Sequence, residues 1–203
     1  VRAFEEEGAH VEEVKIGIGR PQQELSDLWC RLIIPRNITS LDAAKASGVD
    51  LLGQHHQDFP AEYLRWIAVG QHLSAVDFYK DQEIRTEIYD AIQSVLNDYD
   101  LLVTPTLACL PVDNANDGNT LGPSEINGEP VDPLIGWCLT YLLNFTGHPA
   151  ASIPAGLSEE GLPVGMQIIG RRYADAEVLA ASAAFERLRP WQESYRQCAE
   201  RVL

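Results

Sequence analysis

Two rhythms of apolar residues run along this chain. Between Pro60 and Asp98, Leu73, Val76, Ile84, Ile88, Ile92 and Val95 recur at close to the helical period, which predicts a long helical stretch that Gly70 divides in two. Gln22 to Ile34 is amphipathic and predicts a helix closed by Pro35; Ser40 or Asp42 then caps a short helix through Ala46, stopped by Gly48. Arg2 to Glu7 predicts a helix end capped by Gly8, and the alternation of His10 to Ile16 predicts a strand. Leu101 to Pro105 is a short apolar run stopped by proline, the pattern of a strand buried in an α/β sheet. Asp132 as N-cap and Pro133 at the first position predict a helix to about Leu143. Ala150 to Ile153 and Val164 to Ile169, joined by a Gly161-Leu162-Pro163 turn, predict adjacent strands. A helix from Ala174 to Leu188 follows, with Val178, Leu179, Ala181, Phe185 and Leu188 on its apolar side. Helices interleaved with short apolar strands predict the α/β class.

Residues 111–131 are rich in Pro, Gly, Asn and Asp and read as a long surface loop. Too little independent core lies on either side for it to be a linker, so residues 1–203 are expected to belong to one domain. The 30 acidic against 15 basic residues give a net charge of −15, which excludes a surface built for nucleic acid or an anionic membrane. No basic segment leads into an apolar one near the start, and the expected location is cytoplasmic. Cys30, Cys109, Cys138 and Cys198 are scattered singly and are read as reduced thiols, without the spacing of a zinc site or a disulfide framework. The chain opens on Val1, and its single methionine is Met166, so a segment is expected upstream.

Candidate chemistry is sparse. Adjacent His55 and His56 with Asp58 point in different directions on any regular element, which favours a solvated turn over a metal site. No serine is framed by glycines as an activated nucleophile is, and Ser152, in Ala-Ala-Ser-Ile-Pro, reads as a strand residue. Asp100 and Asp132 stand alone at element ends, as turn or cap residues do. Arg171-Arg172 is either an anion contact or a solvated pair.

Four segments change the picture when taken together and in order: YDLLVTPT at Tyr99 to Thr106, NFTGHPAASIPAG at Asn144 to Gly156, GLPVGMQIIGRR at Gly161 to Arg172, and DAEVLAASAAFE at Asp175 to Glu186. They resemble successive C-terminal motifs of the amidase signature family, over essentially the whole chain. The resemblance implies the C-terminal portion of an α/β/α domain with a mixed sheet, and hydrolysis of a carboxylic amide to an acid and ammonia or an amine. It also implies catalysis by a lysine, a serine in a cis peptide and a nucleophilic serine, with backbone N–H groups stabilising the oxyanion. Those elements belong to the family's N-terminal half, and none of Lys15, Lys45 and Lys80 sits in a corresponding motif. No catalytic residue and no cofactor are therefore assigned to this chain, which is expected to be inactive alone.

The resemblance places Trp137 and Tyr141, on the helix before the Asn144 motif, and Arg65, in the region Tyr63 to Gly70, on the substrate-pocket wall. In the glutamine-using amidotransferase branch the position of Trp137 carries a carboxylate that grips an ammonium. An indole cannot do so, which points to a less polar amide. Expected partners are the small amide substrate and the missing N-terminal half; a homo-oligomer is left open. One rival reading is a non-catalytic protein that serves as a structural or binding subunit. The other, disfavoured by Trp137, is a glutamine amidotransferase of the A type.

Overall fold

A computed structural model describes residues 1–193 of the chain, so Cys198 lies outside the described residues. Two compact units emerge, one from residues 1–18, 88–111 and 139 onward, the other from residues 19–87 and 112–138.

The first unit is built on a sheet. Strands β1 (Leu101–Pro105), β4 (Ala150–Leu157) and β5 (Pro163–Gly170) form a three-stranded antiparallel sheet in the order β1-β5-β4, which confirms the α/β class. The predicted strand pair forms with Ser152 opposite Gln167, and it is longer than its apolar runs: Pro154 and Gly156 give a bulge within β4 rather than its end. Alternation sorts the two faces. Val103, Ala151, Ile153, Met166 and Ile168 meet Val178, Ala181 and Phe185 of helix α7 (Asp175–Leu188), joined by Ala3 and Phe4 of α1 (Arg2–Glu6). Each large apolar side chain buried there contributes roughly 1.5–3 kcal/mol. Leu179, expected on that face, is 66% exposed, because it lies one residue off the Val178–Ala181–Phe185 stripe.

Two other expectations fail. Residues 10–16 alternate but form no strand, since a strand needs an edge to pair with and none pairs with it among the described residues. The helix expected from Pro133 to Leu143 is replaced by a turn at 133–137 and the short helix α6 (Tyr141–Thr146). Gly136 weakens a helix at its centre, and the Leu139 N–H donates to Thr106 O (3.2 Å) instead of bonding back along a helix.

The second unit is mainly helical. Helix α2 (Gln22–Ala46) runs straight through Pro35 and absorbs the short helix expected after it. Proline removes one backbone donor, yet Cys30 and Ile34, one turn apart, are buried on one face with Ile38 and Leu41 continuing it beyond Pro35, and continued packing of that stripe outweighs the lost bond. Its partner is α4 (Ala61–Gln71), preceded by the short α3 (Leu51–Gln54). Cys30, Ile34, Trp66 and Ile67 form the buried cluster between α2 and α4, with Trp29, Ile38 and Tyr63 against it. The predicted break in the long helical stretch comes at 72–74, with Ser74 Oγ accepting the Asp77 N–H (3.1 Å) at the start of α5 (Ala75–Asp98). Gly70 sits inside α4 as a packing residue: a Cβ there would lie 2.5 Å from Ile34 Cγ2. Val76, expected on an apolar face, is 64% exposed, whereas Ile88, Ile92 and Leu96, in the half of α5 that belongs to the first unit, are almost fully buried. The 111–131 segment lacks regular structure except for a two-strand hairpin, β2 (Glu125–Ile126) with β3 (Glu129–Pro130).

Candidate substrate-pocket wall

In the second unit the structure gathers two of the three expected site residues around one tight turn. Asp132 is 2% exposed, its Oδ1 accepts the Leu134 N–H (2.8 Å), and its carbonyl accepts the Gly136 N–H (2.7 Å). A side chain at position 136 would collide with the Asp132 backbone at 2.5 Å, so glycine is needed for the closure. Asp132 thus caps, as read from the sequence, although what it caps is a turn.

Arg65 reaches the same carboxylate, Nη2 donating to Asp132 Oδ2 at 2.7 Å, and its guanidinium lies 4.5 Å over the Trp66 ring. Trp137 closes the other end. Its Nε1 donates to Pro133 O (3.1 Å), the carbonyl that also accepts the Gly122 N–H (2.8 Å). Gly122 packs so closely on the indole that a Cβ there would come within 2.2 Å of it. Part of the Trp137 ring stays accessible, and because its N–H is already used, what it offers a ligand is apolar surface. Sequence reasoning missed a second buried pair in this unit: Arg31 clasps Asp81, itself 5% exposed, through two hydrogen bonds of 2.9 Å. Nothing in the residue pattern marks two positions fifty residues apart as partners.

α2, α4 and the 132–137 turn also line an open, mostly apolar pocket of about 250 Å³, with Trp29, Cys30, Ile33, Tyr63, Trp66 and Leu134 among its walls. Burial, then the Asp132 and Asp27 charges, push the Cys30 thiol up to about 12, which keeps it protonated and unreactive.

Tyr141, the third expected site residue, belongs to the first unit, where it is 1% exposed and meets Phe145 edge-on at 5.9 Å. From α6 the chain turns through Gly147, whose φ of +66° is open to glycine at little cost, into His148 and β4. His148 is 5% exposed and stacks on Tyr89 (5.3 Å). Its Nε2–H donates to Gln93 Oε1 (3.2 Å), leaving Nδ1 to accept from Thr146 Oγ1 (2.8 Å). Burial, reinforced by Arg172, holds its pKa below the ordinary 6.5, so the ring is neutral near pH 7.

Ser152 lies exposed on β4 with its hydroxyl 2.8 Å from Thr106 Oγ1, and no base takes part in that pair. Across the same face Gln167 Nε2 donates to Thr104 Oγ1 (3.1 Å). Arg171, read from sequence as an anion contact or a solvated residue, takes its partners from its own chain. It donates to the carbonyls of Leu96 (2.8 Å) and Tyr99 (3.3 Å) at the end of α5, and pairs with Asp100 at 3.2 Å. It thereby satisfies carbonyls that a helix end leaves open. His55 Nδ1 pairs with Asp58 Oδ2 (3.1 Å) on the surface.

Helices packed on an antiparallel sheet, with a glycine-closed turn leading from α6 into its strand β4, define an α/β chain in which the four motifs shape both the sheet and the turn beside it. The chain belongs to the amidase family, whose model matches residues 1–179. A solved bacterial aryl acylamidase of the amidase signature enzymes superposes with a TM-score of 0.94 at 52% identity, covering 100% of this chain and 41% of that one. An acylamidase of Rhodococcus erythropolis is 33% identical over 199 residues, 94% of this chain and 38% of its own length. The A-type component of the glutamyl-tRNA(Gln) amidotransferase from Thermodesulfovibrio yellowstonii is 30% identical over 174 residues, 77% of this chain and 33% of its own. The chain thus spans roughly two fifths of the length of these relatives or less. No helix among the described residues is long and apolar enough to cross a membrane.

Proposed function

We propose that this chain forms the sheet and part of the substrate-pocket wall of a cytoplasmic amidase that hydrolyses a neutral, weakly polar carboxylic amide to an acid and ammonia or an amine. The observation that carries this reading is the family match over residues 1–179 in a chain covering 41% of an aryl acylamidase whose fold it shares. The catalytic lysine and serines implied by the resemblance then lie in the remainder of the protein, and the whole chain is the C-terminal part of one amidase domain. Ser152, paired with Thr106 and no base, supports that division of labour.

Within this reading Trp137 presents apolar ring surface to the substrate, while Arg65 holds the 132–137 turn that carries it. Tyr141 anchors α6 and so the turn into β4. An indole in place of a carboxylate favours an amide without an ammonium group, and so an acylamidase over a glutamine-using amidotransferase. The test is to assay the intact protein and the isolated 203 residues on an acetanilide and on glutamine. Hydrolysis of the anilide by the intact protein alone is the expected result. Hydrolysis by the isolated chain that is lost in Ser152→Ala, or a preference for glutamine, would overturn the reading.

A further inference from the structure

The apolar pocket of the second unit carries a mark of its own. An apolar cavity of about 150 Å³ accepts a benzene ring, whereas drug-sized ligands occupy about 300 Å³ or more, so about 250 Å³ has room for one ring with a short substituent. Its wall is mostly apolar and aromatic, including Trp29, Tyr63 and Trp66, with Asn37 adding a neutral amide and no charged side chain in the lining, and the thiol of Cys30 stays protonated. Such a wall selects a neutral ligand, because a charge there would lose its hydration without a partner.

Trp66 is 4% exposed, and its Nε1 is buried with no hydrogen-bond partner. Buried indole N–H groups ordinarily find an acceptor, since leaving one unpaired costs its full desolvation. The Arg65 guanidinium over the ring face holds the indole in place. The Nε1 is buried as it stands, so an acceptor carried by a ring packed against the aromatic wall reaches it through side-chain adjustments of the kind common on binding.

We propose that this pocket binds a neutral single-ring molecule bearing one hydrogen-bond acceptor, held by the aromatic wall and by the Trp66 indole N–H. This goes beyond the amide reading and holds whether or not the protein cleaves amides. The test uses acetophenone and ethylbenzene, which match in shape and differ in the carbonyl. The intact protein, ¹⁵N-labelled at its tryptophan indoles, is titrated with each, and Trp66→Phe assigns the Trp66 signal. Acetophenone is expected to move the Trp66 indole proton downfield and ethylbenzene to leave it in place. The acetophenone-to-ethylbenzene affinity ratio should fall about tenfold in Trp66→Phe, the scale of one recovered hydrogen bond. An unmoved indole signal, an unchanged ratio, or no binding of either probe at millimolar concentration overturns the proposal. If Trp66→Phe does not fold, Trp66 is assigned by elimination from Phe replacements of the protein's other tryptophans, and its response decides.

Discussion

Asp132 gathers four partners that the sequence hides: the Leu134 N–H, the Ile135 and Gly136 N–H groups through its carbonyl, and Arg65 sixty-seven residues upstream. Asp132→Ala removes an acceptor and leaves Arg65 unpaired at a half-exposed position, and is expected to cost about 1–3 kcal/mol. Asp132→Asn keeps the acceptor for Leu134 and should cost less; urea midpoints for the two variants check the order. His148 gives a second residue-scale expectation. Its folded pKa lies below the ordinary 6.5, so as pH falls through 6.5 the unfolded chain takes up a proton that the native state refuses. Stability contributed by neutral His148 is therefore present above about pH 7, declines below 6.5, and stops declining once the folded ring is protonated. Urea midpoints at about pH 7.5 and 5.5 should differ more for the wild type than for His148→Gln.

At the scale of elements, periodicity located most helices and strands, while punctuation was misread. Pro35 looks like a stop, yet α2 continues through it because Cys30, Ile34, Ile38 and Leu41 form a continuous stripe against the α4 cluster on both sides of the proline. Pro35→Ala restores a backbone donor to the helix and removes the ring's clash with the preceding turn. It is expected to stabilise the protein by about 1–3 kcal/mol, read as a raised Tm. Gly136 acts in the opposite sense, halting a helix that Asp132 and Pro133 seem to begin, since only glycine fits against the Asp132 backbone. Proline and glycine are local signals, and tertiary packing decides whether each is tolerated.

At the scale of the molecule, β1 and β4 are the outer strands of the described sheet, each paired only with β5 among the described residues. Unpaired strand edges invite further pairing. The isolated chain is expected to associate in a concentration-dependent way by size-exclusion chromatography and to do so less when co-expressed with the remainder of the protein. Taken by itself, the sequence determined the α/β class, the β1 run, the neighbouring β4 and β5 strands and the family, because each is written in local apolar periodicity or in contiguous motifs. It did not reveal the Arg31–Asp81 clasp, the capping of α5 by Arg171, the His148 network or the unpaired indole of Trp66. Those depend on which distant side chains are brought within about 3 Å and which are denied water, and only the tertiary structure decides that.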